Sequence, residues 1–205
     1  MPHGGTMRTR RGQAGGYTLI EMAVVIVIIA IILAYAVPSY KGLIAENRMS
    51  GEVNDLLNDV EQSRSAAIKQ GVPVVICPST DSTAAVPSCS GSSSWTTGWI
   101  AFTDVAQNQT FAAASGDTLL RVHTGLQVGD TMVGAVGATD VGPFGGNLTY
   151  LSFNRMGAAA IAGPSNYAAI SVHDAANTAA WRQCLVVSLV GMASIDANQN
   201  AVNCP

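Results

Sequence analysis

The chain has 205 residues, of which only 11% are charged and 48% are hydrophobic, with a net charge of −3. Beyond Ala45, six basic residues (Arg48, Arg64, Lys69, Arg121, Arg155, Arg182) face twelve acids, leaving about −6. That balance argues against a broad phosphate-binding surface, while the length allows one domain with a real core.

The N-terminus is the most informative segment. Arg8, Arg10 and Arg11 come first, then the small residues Ala14, Gly15 and Gly16, then an apolar run broken only by Glu21. Residues 22–37 carry no charge. As a helix, residues 17–37 would span roughly 32 Å, about one hydrocarbon core. The three arginines would hold the N-terminal side in the cytoplasm and send the remainder across the membrane. Glu21 is costly in such a span, by about 2.5–3.5 kcal/mol, and needs a partner.

Gly16-Tyr17-Thr18-Leu19-Ile20-Glu21 and the run after it resemble the N-terminus of type IV pilins and pseudopilins. Tyr17 stands where that pattern usually has Phe. The resemblance implies a leader of residues 1–16, removed between Gly16 and Tyr17 by a prepilin peptidase, and N-methylation of Tyr17. Residues 17–37 are then retained, first as an anchor in inner-membrane lipid and later as filament core. Glu21 becomes the fifth mature residue, placed to pair with a neighbouring subunit's free amine and to set register. Pro38 becomes mature residue 22, where pilins commonly carry a proline; its ring and missing N–H weaken a helix locally. Met1 and Met7 are both candidate starts. The competing reading is a cleaved secretory signal with a small-x-small site at Ala34-Tyr35-Ala36. Glu21 at the start of the apolar run and the position-by-position pattern favour the retained segment.

Residues 38–70 read as the amphipathic continuation of that helix. Met49, Val53, Leu56, Leu57, Val60, Ala67 and Ile68 recur near i, i+3, i+4, i+7 spacing, and Gly71 and Pro73 end it. The stripe has to be covered by a sheet. Residues 71–205 form a β-rich domain, with strands read at 72–77, 99–103, 118–123, 148–153, 168–173 and 184–190. Between them lie a Ser/Thr-rich loop, 79–94, and a glycine-rich stretch, 129–146. The glycines fit no phosphate-binding arrangement and read as hairpins.

Four cysteines in a periplasmic domain read as disulfides, and three connectivities are open. The local one, Cys77–Cys89 with Cys184–Cys204, closes the shortest loops and fits the strand order. A twenty-residue loop of this kind stabilises by about 3 kcal/mol in the chain-entropy model. Neither spacing suits a redox pair or a zinc site, and His123 and His173 each stand alone, so no metal or cofactor is expected.

Further along, Ala67-Ile68-Lys69, Val74-Val75-Ile76-Cys77-Pro78-Ser79 and Gly98-Trp99-Ile100-Ala101-Phe102-Thr103-Asp104 resemble the FimT/GspH family. Leu151-Ser152-Phe153-Asn154-Arg155-Met156-Gly157 and Leu185-Val186-Val187-Ser188-Leu189-Val190-Gly191 extend the match. The resemblance implies an α+β pilin fold, a long helix on an antiparallel sheet. Trp99 and Phe102 are expected to pack within strands, not to hold a ligand. A minor type IV pilin at filament initiation or tip is the leading expectation, with other pilins or pseudopilins as partners. Minor pseudopilin H of the type II secretion system is the alternative. No GxSxG, HExxH or Ser/His/Asp set supports an enzyme. Some FimT-like pilins are associated with DNA uptake and carry a G-R-x-R pattern in the terminal hairpin. Here Met192 and Ser194 occupy the arginine positions, so DNA is not an expected partner. A basic patch of Arg121, Arg155 and Arg182 would have to replace it.

Overall fold

The computed structural model describes residues 16–140, 142–161, 165–196 and 204. Arg8, Arg10, Arg11, Ala14, Gly15 and both candidate start methionines lie outside the described residues, as does the side chain of Pro38. The chain divides into two compact units, Met1–Gly42 and Leu43–Pro205, and one helix, α1 (Leu19–Gln70), contributes to both.

In the first unit α1 begins where Thr18 can cap it. The Glu21 amide donates to Thr18 Oγ1 at 3.3 Å and to the Thr18 carbonyl at 3.1 Å. A threonine side chain here satisfies a donor that has no partner within the helix. The following turns are apolar on all sides, and every described side chain from residue 16 to residue 41 is exposed. A helix of this kind has no face to offer water and is long and apolar enough to cross a membrane.

In the second unit α1 changes character. Met49, Val53, Leu56, Val60 and Ala67 are buried on one stripe, with Ser63 among them. Ser63 tolerates burial because its hydroxyl donates to the Asp59 carbonyl at 2.7 Å. Ile68, read from the sequence as part of this stripe, is instead half exposed. It sits about 100° round the helix from Ala67, at the rim of the buried face. Gly71, at φ +68°, closes the helix by donating to the Ala67 carbonyl at 3.0 Å.

Two five-stranded antiparallel sheets follow, where the sequence led us to expect one. The first comprises β1 (Val74–Pro78), β2 (Gly98–Thr103), β3 (Leu119–Thr124), β6 (Leu151–Phe153) and β7 (Ala159–Ile161), in the order β3-β2-β1-β6-β7. The second comprises β4 (Asp130–Gly137), β5 (Phe144–Asn147), β8 (Tyr167–Asp174), β9 (Gln183–Ser188) and β10 (Ala193–Asp196), in the order β10-β9-β8-β4-β5. The glycine-rich stretch 129–146 supplies β4 and the start of β5, which pair as a hairpin. The sheets meet at Trp95. Its amide donates to the Met132 carbonyl at 2.9 Å, and its indole Nε1 donates to the Leu148 carbonyl at 3.2 Å. A Cβ on Gly134 would lie 2.6 Å from that indole nitrogen, so β4 carries glycine where the ring passes.

Period-two alternation explains the core. Val74 and Ile76 of β1 and Leu185 and Val187 of β9 join the α1 stripe in one large cluster. Their neighbours point the other way. Val75, Cys77, Ile100 and Phe102 form a cluster behind the first sheet; Ala169, Cys184, Val186 and Cys204 form one behind the second. Cys77 bonds Cys89, and Cys184 bonds Cys204. Each disulfide therefore belongs to the small apolar cluster on its own sheet's outer face.

Candidate functional site

The Gly16–Tyr17 bond lies in the stretch before α1, where the backbone is not committed to helical hydrogen bonds. Among the described residues, nothing approaches within 4 Å of where a Gly16 Cβ would be, and Tyr17 is 80% exposed. Glu21 is the first acid of the helix and lies in its first turn. Thr18 and Glu21 also stand in the T-x-x-E spacing of a capping box, a local role the sequence reading overlooked although the four letters carry it. From Leu19 to Val37 the helix presents exposed Leu, Ile, Val and Met side chains on every side.

In the second unit, two polar clusters tie the helix to the strands, and three carboxylates order the loops. Arg48 forms an ion pair with buried Asp130 at the start of β4. Glu52, one turn on, has a buried carboxylate oxygen without a hydrogen-bond partner. Burial first, and the Asp130 carboxylate beside it second, push the Glu52 pKa up to about 7, against the pull of Arg48 and the Gln127 amide. Farther along α1, Asp59 accepts from the Trp99 indole at 2.9 Å and pairs with Arg121 of β3. His123 is not alone: its ring stacks on Trp99 with centroids 3.8 Å apart. Its Nδ1 donates to the Thr124 carbonyl at 2.7 Å, and Nε2 lies 4.0 Å from Asp55. Phe102, on the opposite face of β2, packs edge-on against Phe111.

Asp104, last residue of the sequence motif around β2, is buried and accepts from the Asn108 and Gln109 amides at 3.0 and 2.9 Å. Asp117 likewise accepts from the Val105 and Ala112 amides. These two carboxylates organise the β2–β3 loop, so their chemistry is consumed by backbone. Asp81 does the same in the Ser/Thr-rich loop, where hydrogen bonds from Ser88 and Ser79 lower its pKa. Among the described residues, no group of three or more His, Cys, Asp or Glu side chains could hold a metal ion.

The three cations proposed from the sequence as a substitute basic patch are not gathered into one. Arg121 is held by Asp59 and Gln62, Arg182 is buried and donates to Asn177, and Arg155 lies in the β6–β7 turn.

An exposed apolar helix that leads into an amphipathic half packed on antiparallel sheets defines a pilin-like subunit. The chain belongs to the family described as type II transport protein GspH, whose model matches residues 52–191. The prokaryotic N-terminal methylation motif matches residues 11–37. The family comprises minor pilins and pseudopilins. Among solved structures, the fold is similar to the type IV minor pilin FimU of Pseudomonas aeruginosa in two crystal forms. One matches at TM-score 0.52 with 15% identity, covering 75% of this chain and 92% of that one. The other matches at 0.50 with 15% identity, covering 74% and 94%. The minor pseudopilin EpsH from the Type 2 Secretion System of Vibrio cholerae matches at 0.48 with 10% identity, covering 73% and 97%. No curated protein matches the chain.

Proposed function

We propose that this chain is a non-catalytic minor subunit of a type IV pilus-like filament, processed and anchored through its N-terminus before assembly. The methylation motif over residues 11–37, running into an exposed apolar helix, carries the reading. A prepilin peptidase cuts between Gly16 and Tyr17, and the new Tyr17 amine is methylated. Residues 17–37 hold the subunit in the inner membrane with the N-terminus cytoplasmic. The domain from about residue 71 lies in the periplasm, where both disulfides form. On assembly, other pilins or pseudopilins replace lipid around the helix. Glu21 then finds an ammonium partner on a neighbour, which relieves the cost of a carboxylate in an apolar setting. The buried aspartates and the Trp99–His123 stack support a structural role, because their polar atoms already serve backbone and neighbouring side chains.

The family description, type II transport protein, favours a second reading, a minor pseudopilin acting in protein secretion. Both share the same processing. Intact-mass measurement of the chain extracted from membranes of a peptidase-positive host tests it. The expected mass is that of a chain beginning at methylated Tyr17. A chain beginning at Val37, or an unprocessed one, would overturn the proposal.

A further inference from the structure

The outer face of the first sheet carries an open cavity of about 230 Å³ beside the β2–β3 loop. Tyr150, Ser152 and Asn154 stand at every second position through β6 and line it together. Ser152 pairs with Val75 of β1 on one side and with Ala160 of β7 on the other. Val75 belongs to the apolar cluster behind this sheet, against which Tyr150 also packs, so the row faces away from α1. Ala160 adds a wall without bulk, and Gln107 and Gln109 of the β2–β3 loop complete the lining.

Both glutamines hold a left-handed backbone, at φ 55° and 57°. Side chains other than Asn and Asp visit that region rarely. Asp104 holds the loop there: its carboxylate accepts from the Asn108 and Gln109 amides, and its own amide donates to the Pro73 carbonyl at 2.8 Å. Two long carboxamides are thus presented to the cavity from positions where glycine or asparagine would be less strained.

The lining narrows the ligand. Among the described residues, no hydrogen bond engages the side chains of Gln107, Gln109, Tyr150 or Ser152. Asn154 commits Oδ1 to the Met156 and Ala158 amides and keeps Nδ2 as a donor. No basic side chain lines the cavity, which disfavours phosphate and carboxylate ligands. Asp104 is 1% exposed with both oxygens engaged, which disfavours a cation. An extended peptide would need a free strand edge, and β6 is paired on both sides. What is left is a set of neutral donors and acceptors beside a half-buried aromatic ring. Sugar hydroxyls donate and accept alike, and the C–H face of a sugar ring packs on an aromatic one. The volume lies below the roughly 300–1,000 Å³ of sites that enclose a drug-sized ligand, which suits one ring of a longer chain.

We propose that this cavity binds one neutral hexose or N-acetylhexosamine ring of a glycan. The site lies apart from the N-terminal motif and stands whether or not the chain enters a filament.

The test uses the full chain, co-expressed with a prepilin peptidase, purified in a detergent without a sugar headgroup, and applied to a printed array of neutral, sialylated and sulfated glycans. Signal is expected on a subset of the neutral glycans, unchanged between 50 and 500 mM NaCl and displaced by the same glycan in solution. Gln107→Gly combined with Gln109→Gly removes two side chains where glycine takes up the backbone readily. It should lower the signal at least fivefold, with the thermal melt within about 3 °C of wild type. Ala160→Phe, on the exposed face of an edge strand, fills the cavity and should lower the signal at least tenfold. Ala160→Phe decides alone if the glycine pair melts earlier than that. Signal on no neutral glycan, on sialylated or sulfated glycans alone, signal that falls with salt, or signal that Ala160→Phe leaves intact would overturn the proposal. Intact mass of the same sample reports on processing separately, so a methylated chain that binds no glycan refutes the sugar site alone.

Discussion

At the scale of single residues, the most consequential side chains serve the fold. Trp95 is fully buried, joins the two sheets, and has its one donor satisfied by Leu148. Trp95→Ala would remove the ring and open a cavity against Gly134. The expected cost is about 3–5 kcal/mol in chemical denaturation, and a loss under 1 kcal/mol would show that the ring does not join the sheets. Glu52 behaves differently because it titrates. Its folded pKa, about 7, lies above the ordinary 4.5, so the folded state holds the proton more tightly than the unfolded chain. The stabilisation is fully present below about pH 4.5 and is lost as pH rises through about 7. Arg48, Asp130 and the Gln127 amide face the carboxyl, and Arg48 offsets part of the penalty. Glu52→Gln should therefore match wild type near pH 4.5 and exceed it by about 1–2 kcal/mol at pH 8. Thermal melts of the full chain at both pH values check this, and a variant less stable at pH 8 would contradict it.

At the scale of elements, what could be read from the sequence depended on how local the deciding physics was. The helix was legible because its apolar stripe repeats every turn and its stop at Gly71 and Pro73 is local, whereas its cap at Thr18 was overlooked although Thr18 and Glu21 carry it. β1, β2, β8 and β9 were legible because they are β-branched or aromatic and buried on both faces. β4 was not. Asp130, Gly134 and Gly137 read as turn residues, yet Gly134 makes room for Trp95 and Gly137 for Phe144. The division into two sheets was also hidden, because β1 pairs with β6 and β4 with β8 across long stretches of chain. Glu21 stands out in the sequence as the acid in an apolar run, and its place in the capping spacing gives it two explanations. Glu21→Gln separates them, since glutamine serves equally at that capping position but carries no charge. Both Glu21→Ala and Glu21→Gln are expected to leave membrane insertion and domain stability unchanged, within about 0.5 kcal/mol. Incorporation into filaments, scored by immunoblot of sheared filaments, should fall with both. Wild-type incorporation of Glu21→Gln would reduce Glu21 to a cap.

At the scale of the whole molecule, charge distribution sets what the chain can bind. The arginine positions of the terminal hairpin hold Met192 and Ser194, and Met192 is exposed among other apolar side chains. Three of the domain's six cations are committed to Asp130, Asp59 and Asn177, leaving Arg64, Lys69 and Arg155. Arg64 already donates to two carbonyls. Non-specific duplex binding rises with the number of phosphates neutralised, with a salt slope of about −0.9 per contact, and proteins with strong slopes make 6–10 contacts. Three cations on a domain near −6 fall well short, and long-range repulsion lowers the encounter rate further. The full chain in detergent micelles should therefore show no saturable binding to a fluorescent 20-bp duplex at 150 mM salt. Anisotropy titration checks this: affinity in the micromolar range, weakening steeply with added salt, would mean that the hairpin end gathers more positive potential than its three cations supply.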